Sequence, residues 1–461
     1  MPNPLPSVQW RALQTTLRRG NSTQQPAAIA LTPNLAPNLR WRSSSVLDSY
    51  VDKPARPISL RQLIFFGGRN LDEVRILNSA NYVRSELPIR IAHRIRDMQK
   101  LPYVVVTNPH MSHVYDLYYK AFDTLRKVPE IKTIEDNDRF CSIVKNMLRE
   151  HLTIIPNLAM GVLECKDLVP AAEIDRFMNK LLRSRISRRV IAEQHIALTD
   201  TFNSPFHFPA SSAFQQPNSH PDFVGEVFLR CNAKEVVERC GKLAQNLARD
   251  AFGPDSPVPE IEIEGHTDTI FPYILSHLEY MIGELLRNSI QATIEKHHPA
   301  SPTTKLPLIK VLICHAPQHI IFRVSDQGGG IPPDELPHLW SFSKGARSQA
   351  RLENFARVPT MAATMQELLN SHTHTSSIVG HQNSINMTAR KVGSREESSL
   401  SSLTSRPPNL RLGIGLPMSR VYAEYWAGSL ELHSLEGYGT DVFLQISKLG
   451  NKSEQLTLDG L

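Results

Sequence analysis

The stretch that most constrains the fold is residues 272–298, PYILSHLEYMIGELLRNSIQATIEKHH. Ile274, Leu275, Leu278, Met281, Ile282, Leu285, Leu286 and Ile290 recur at helical spacing, which predicts one long, mostly buried amphipathic helix. Glu284 and Asn288 break that apolar pattern four residues apart, so they stack on one face, with Tyr280 one turn earlier. A carboxylate and an amide on a buried helix cost free energy unless something satisfies them. Taken alone the pair is weak evidence, and a satisfied structural pair or a solvated edge accounts for it more simply than a ligand-facing one.

The company downstream separates these readings. A strand pattern at 319–325, HIIFRVS, runs directly into Asp326-Gln327-Gly328-Gly329-Gly330. Gly413-Ile414-Gly415-Leu416 opens a second helical segment, and Gly437-Tyr438-Gly439-Thr440 lies between two strand patterns. One glycine-rich block is weak evidence. In this order and spacing, the four blocks resemble the N, G1, G2 and G3 boxes of the gyrase and histidine-kinase ATPase superfamily, whose nucleotide-binding domain is the Bergerat fold.

The first 47 residues contain no Asp or Glu, carry Arg11, Arg18, Arg19, Arg40 and Arg42, and include a short basic amphipathic segment at 8–19. That pattern fits a mitochondrial transit peptide over residues 1–45; a secretory signal would need a continuous apolar core. The chain has 51 basic and 45 acidic residues, a net charge of +6 that falls to +1 without those five arginines. Composition therefore makes no case for nucleic acid as a partner. No apolar run approaches the roughly 18 residues of a membrane span. Five cysteines without a CxxC pair fit reduced thiols.

From 46 to 198 the pattern is helical. Ser59 caps 60–66, and amphipathic segments at 70–98 (interrupted by Pro88), 111–126, 137–163 and 171–197 are separated by Pro109, Pro129 and Pro170. Four such segments predict an antiparallel four-helix bundle. His151 invites a phosphoacceptor reading, but Pro156 five residues on distorts any helix that would present it. A linker at 199–222 leads to a second domain, 223–450. There, strands at 223–230, 260–265, 308–315, 319–325, 429–433 and 441–447 alternate with helices at 233–251, 272–298 and 416–426, an α/β sandwich. Residues 343–410 read as a lid, Ser/Thr/Asn-rich from 359 onward and without core-forming periodicity; 451–461 read as a polar tail.

Closer motifs narrow the resemblance. ELPIRIAHRIRDMQKLP (86–102), IIPNLAMGV (154–162), FMNKLLRSRISRRVIAEQH (177–195), ELLRNSIQAT (284–293), SDQGGGIP (325–332) and the ending from GIGLPMSRVYAEYWAGS to EGYGTDVFL (413–444) are similar to the mitochondrial 2-oxoacid dehydrogenase kinases. These are the pyruvate dehydrogenase kinases and the branched-chain 2-oxoacid dehydrogenase kinase. The resemblance implies a protein-serine kinase of the mitochondrial matrix that inactivates the decarboxylase component of such a complex, using ATP and Mg²⁺, with K⁺ as a further ion. It also implies docking on the lipoyl-bearing acyltransferase core and homodimerisation through the C-terminal domain.

By the same resemblance Glu284 is the general base and Asn288 holds Mg²⁺. Asp326 accepts from the adenine amino group, with Gly328 and Gly330 against base and ribose. Gly413, Ile414, Gly415 and Leu416 form the phosphate-facing segment, and Thr440 lies on the adenine side. For the implied lipoyl pocket the apolar segment 60–68, followed by Arg69, offers walls in Phe65 and Phe66, which fit an ordinary core equally. Three positions depart from the family pattern. Tyr280 stands where the pyruvate kinases carry His and the branched-chain kinase Tyr, Gln291 replaces an Arg, and Arg411 replaces the first glycine of the G2 block. Pyruvate dehydrogenase is the expected substrate, with the branched-chain complex as the alternative; a histidine kinase acting through His151, an ATP-driven conformational machine and an inactive paralogue are the competing classes, each opposed by the residues present.

Overall fold

Several helix starts in the first half are set by side chains that accept from the free amides of the first turn. The computed structural model describes residues 45–66, 71–203, 223–297, 305–345, 348–361, 411–448 and 454. The expected transit segment, the linker and most of the lid lie outside them. After α1 (Ser45–Val51), Ser59 and Gln62 cap α2 (Leu60–Phe66) reciprocally, Gln62 N–H to Ser59 Oγ (3.2 Å) and Ser59 N–H to Gln62 Oε1 (2.8 Å). Asp72 caps α3 (Glu73–Gln99). Past the single turn α4 (Tyr103–Val106), Asn108 caps α5 (Pro109–Arg126), whose Pro109 at the first position loses no bond. Thr133 and Asp136 form a capping box at α6 (Ile134–Glu150). A 3₁₀ turn, α7 (Ile154–Glu164) and α8 (Ala171–Phe202) complete the helical half. α3 packs on α5 and α8, α5 on α7, and α6 on α8.

Two helical expectations need correction. α3 runs unbroken through Pro88, although an interior proline costs about 3 kcal/mol. Leu87, Pro88, Ile89, Arg90 and Ile91 are all buried there, and packing holds the turn in place. The segment 137–163 is two helices joined by the turn His151–Thr153. Pro156 has no N–H, so the Leu152 carbonyl four residues back has no helical donor; Met361 N–H takes it instead (3.0 Å).

The second half has β1 (Phe223–Val224), β2 (Val227–Asn232), α9 (Ala233–Phe252), β3 (Ile261–Gly265), β4 (Ile270–Ile274), α10 (Leu275–His297), β5 (Ile309–His315) and β6 (His319–Ser325). Then come α11 (Ser348–Ala356), α12 (Gly415–Tyr425), β7 (Ser429–Leu435) and β8 (Gly439–Ser447). The main sheet has the order β3-β5-β6-β8-β7, with β3 parallel to β5 and all other pairs antiparallel. Its buried face alternates as period two requires: Ile320, Phe322 and Val324 of β6 stand opposite Ile446, Leu444 and Val442 of β8. α9 packs on β3, α10 on β6, and α12 on β7 and β8.

A smaller sheet, β1-β2-β4, was not expected. The strand read at 223–230 is a hairpin turned at Gly225, and the long helix read from 272 begins as β4 because residues 270–274 pair with β2. The lid read at 343–410 has buried residues at its start: Phe355 and Val358, with Met361 just past 359, are buried, and α11 packs on α7. One apolar cluster runs from Leu47 to Ile446. Among the described residues no helix is long and apolar enough to cross a membrane.

His195 of α8 is fully buried, Nδ1 3.1 Å from Ser79 Oγ and Nε2 3.6 Å from Cys141 Sγ. Burial lowers its pKa from 6.5 to about 4. Between those values the unfolded chain binds the extra proton, so stability rises with pH there. The contribution, about 3 kcal/mol, is complete above pH 6.5 and is lost as pH falls toward 4. Urea unfolding across this window should show a shallower pH slope for His195→Gln than for wild type. Identical slopes would assign the titration to another group.

Candidate active site

α10 carries the centre of the site on successive turns, because helical geometry brings residues 280, 284 and 288 to one face. The Glu284 side chain is 1% exposed and accepts from Arg287 Nη2 at 2.7 Å. Its other boundary is the start of α12: a Cβ on Gly415 would lie 2.3 Å from Glu284 Oε2, so a larger residue there would push the carboxylate aside. The carboxylate therefore sits at the N-terminal end of a helix, where the free amides favour negative charge. The helix that carries Glu284 and the glycine block at 413–416 are thus in contact.

Asn288 is half-buried, and its side-chain amide bonds to none of the described residues. Among the described residues no cluster of three His, Cys, Asp or Glu could hold a metal ion. One uncommitted neutral oxygen beside the buried Glu284 suits a Mg²⁺ that takes its remaining ligands from phosphates and water.

Asp326, at the end of β6, is 6% exposed and already well supplied with donors. Oδ2 accepts from Thr440 Oγ1 (2.6 Å) and Ser289 Oγ (2.8 Å); Oδ1 accepts from Gly328 N–H (2.9 Å) and Thr440 N–H (3.3 Å). Asp326, Gly328 and Thr440 are thus brought together, but four donors fill the sites of one carboxylate. A further donor from a base must share an oxygen, most readily displacing the long bond from Thr440 N–H. Ser289 was missed by sequence reasoning; its signal was a lone hydroxyl in the apolar run beside Asn288.

The remaining glycines serve packing inside the protein. A Cβ on Gly328 would meet Ala292 of α10 at 2.6 Å, and one on Gly330 would meet the Leu435 carbonyl at 2.3 Å. Ile414 is buried and Leu416 packs on the core, so these two fix the start of α12 with their side chains. Of the three departures, Tyr280 packs against Tyr422 of α12 with ring centroids 5.0 Å apart. Gln291 donates to Glu295 Oε1 (3.1 Å), which also pairs with Arg411. Arg411 therefore reaches α10 through Glu295.

His151 is 6% exposed, edge-on to Tyr118 at 5.7 Å. Burial, then the charges of Arg188, Arg189 and Arg185, hold its pKa well below 6.5. It has no surface to offer a phosphoryl donor, which removes the structural basis for a phosphoacceptor role.

Comparison with known proteins agrees with this geometry. The family model described as mitochondrial branched-chain alpha-ketoacid dehydrogenase kinase matches residues 57–228. The model described as histidine kinase-, DNA gyrase B-, and HSP90-like ATPase matches residues 274–393. The chain is 36% identical over 435 residues to [Pyruvate dehydrogenase (acetyl-transferring)] kinase 2, mitochondrial, of Saccharomyces cerevisiae, covering 90% of this chain and 86% of that protein. It is 28% identical over 403 residues to the corresponding kinase of Arabidopsis thaliana, covering 87% and 92%. With isozyme 3 of Homo sapiens the identity is 26% over 430 residues, covering 90% and 89%. The chain belongs to the mitochondrial pyruvate dehydrogenase kinase and branched-chain 2-oxoacid dehydrogenase kinase family, and carries that family's histidine-kinase type ATPase region.

Proposed function

We propose that this chain is an ATP-dependent protein-serine kinase that phosphorylates the decarboxylase component of mitochondrial pyruvate dehydrogenase and thereby inactivates it. The observation that carries this reading is the seating of the Glu284 carboxylate at the glycine-opened start of α12. A base and a phosphate-binding helix end meet there, within one turn of an uncommitted amide. Phosphoryl transfer has a loose transition state, so positioning and charge neutralisation supply most of the acceleration. Asn288 would hold Mg²⁺, which neutralises phosphate charge when bound. Gly413, Ile414, Gly415 and Leu416 offer main-chain amides to the phosphates. Glu284 accepts the proton of the incoming serine hydroxyl. Asp326, with Gly328, Gly330 and Thr440, binds the adenine side, and K⁺ is a further ion by family likeness.

Residues 223–450 form a Bergerat-type α/β sandwich ATP-binding domain in this reading, with 343–410 as its lid. Residues 46–198 form an antiparallel four-helix bundle, 199–222 the link, and 1–45 a transit peptide to the mitochondrial matrix. The helical half docks on the lipoyl-bearing acyltransferase core; Phe65, 72% exposed on α2, suits an apolar arm. Residues 67–70 and the Phe66 side chain, the rest of that expected wall, lie outside the described residues. Two copies pair through their C-terminal domains.

Tyr280 and the name of the family model at 57–228 favour the branched-chain complex as a second reading, whereas the relatives compared are named as pyruvate dehydrogenase kinases. Phosphotransfer from labelled ATP to each purified complex decides between them. Acid-stable, alkali-labile label on the pyruvate decarboxylase component, with matching loss of its activity, is the expected result. Label on the branched-chain component selects the second reading. Acid-labile label on the chain itself, or hydrolysis without transfer, overturns both.

A further inference from the structure

Arg351 of α11 is 5% exposed, and its guanidinium makes four hydrogen bonds, all to main-chain carbonyls. Nε donates to Leu412 O (3.1 Å), Nη2 to Gly413 O (3.3 Å) and Phe342 O (3.0 Å), and Nη1 to Lys344 O (3.2 Å). Among the described residues no carboxylate accepts from it. Asp175 of α8, the nearest acid acting on it, accepts from Phe342 N–H at 2.8 Å. A single planar fork thus joins two segments some seventy positions apart, 342–344 and 412–413. Asn354, one turn along α11, adds a tie to the Arg411 carbonyl (3.0 Å).

The consequence lies on the opposite side of the same peptides. In a trans peptide the C=O and the following N–H point in opposite directions. With the Leu412 and Gly413 carbonyls held toward Arg351, the N–H groups of Gly413 and Ile414 face away from it. None of the described residues accepts from the main-chain N–H of Gly413, Ile414 or Gly415. Gly413 has φ +67°, and a Cβ there would lie 2.6 Å from Arg351 Nε, so the loop and the arginine fit only as glycine and arginine together.

We propose that Arg351 is a positioning residue for the phosphate loop. It turns the 412–414 peptides so that their free amides meet the β- and γ-phosphates of ATP, and it sets a positive charge, unpaired by any direct carboxylate bond among the described residues, behind the loop. The role rests on reading 413–416 as the phosphate-binding segment. Lysine cannot replace the fork, because a point ammonium does not reach four carbonyls lying around one plane. The device also ties the loop to the helical half, since Asp175 fixes residue 342 and Leu152 fixes residue 361.

The test compares ATP, ADP and AMP binding by calorimetry in wild type, Arg351→Gln and Asp326→Asn. Arg351→Gln should weaken ATP and ADP by about tenfold or more while leaving AMP within about twofold, because AMP lacks the outer phosphates. Asp326→Asn should weaken all three. A merely structural arginine would move all three nucleotides together in Arg351→Gln, and that pattern overturns the proposal, as does unchanged binding of all three. If Arg351→Gln is insoluble, Arg351→Lys is measured in its place; wild-type ATP affinity in that protein also overturns it. Wild-type protein that binds none of the three removes the phosphate loop itself, and the proposal falls with that reading.

Discussion

Glu284→Gln is expected to bind ATP with wild-type affinity and to lose about 10²–10⁴-fold in phosphotransfer, about 3–5 kcal/mol of transition-state stabilisation. The substitution keeps nearly every contact that could matter to binding. Glutamine retains a carbonyl oxygen for Arg287 and the same fit against Gly415. Arg287 is 19% exposed, so it can recover hydration when its ion pair is weakened. What disappears is the basic oxygen that takes the serine proton. Steady-state kcat, with ATP affinity measured separately by calorimetry, distinguishes the outcomes. A rate loss matched by an equal loss of affinity would make Glu284 a binding residue, and near-normal turnover would remove it from the mechanism.

The parts of this site that the sequence disclosed are those encoded by short-range rules. The 284/288 spacing places two polar groups on one helix face by geometry alone, and Asp326 follows a strand whose period-two pattern is visible over 319–325. Gly413 marks the helix start through a positive φ that other residues rarely adopt, and Gly415 through its close approach to the Glu284 carboxylate. Ser289 was overlooked because its importance depends on Asp326 arriving from β6, a contact no local pattern announces. Arg351 was overlooked for a related reason. Leu352, Phe355, Val358 and Met361 do recur at three-residue spacing, but the surrounding Ser/Thr-rich composition masked a periodicity that is real and packed on α7.

The misread boundaries share a cause. Residues 270–274 carry apolar side chains that suit the first turn of a helix and a buried strand equally. β2 decides between them by pairing, and pairing is a tertiary fact. Pro88 illustrates the converse: a strong local breaker is overruled where its neighbours on α3 are buried on both sides of it. Pro156 distorts the helix as the sequence suggests, but the donor that takes the freed Leu152 carbonyl, Met361 N–H, comes from about two hundred residues further along the chain.

Glu454 is where a purely compositional reading fails most, and it yields the largest expected stability change. Within a segment read as polar tail, this residue is 3% exposed and reaches the helical half. Its main chain donates to Ile58 O (2.9 Å), and Oε1 accepts from Ile58 N–H (3.1 Å) and from Arg90 Nη2 (2.7 Å). Tyr425 of α12, fully buried, donates its hydroxyl to Oε2. Removing one partner of a buried ion pair strands the other, which typically costs about 3–5 kcal/mol. Arg90 keeps Glu86 at 3.4 Å and the Arg56 carbonyl at 2.7 Å, so Glu454→Ala should fall toward the lower end, about 3 kcal/mol. Replacing both ends with apolar groups, Arg90→Met with Glu454→Leu, should recover part of that loss, because no charge is then left without its partner. Urea unfolding of wild type, Arg90→Met, Glu454→Leu and the double variant measures the coupling directly, with Glu454→Ala alongside. Equal stability of wild type and Glu454→Ala would mean that the tail contributes nothing to holding α3 against α12.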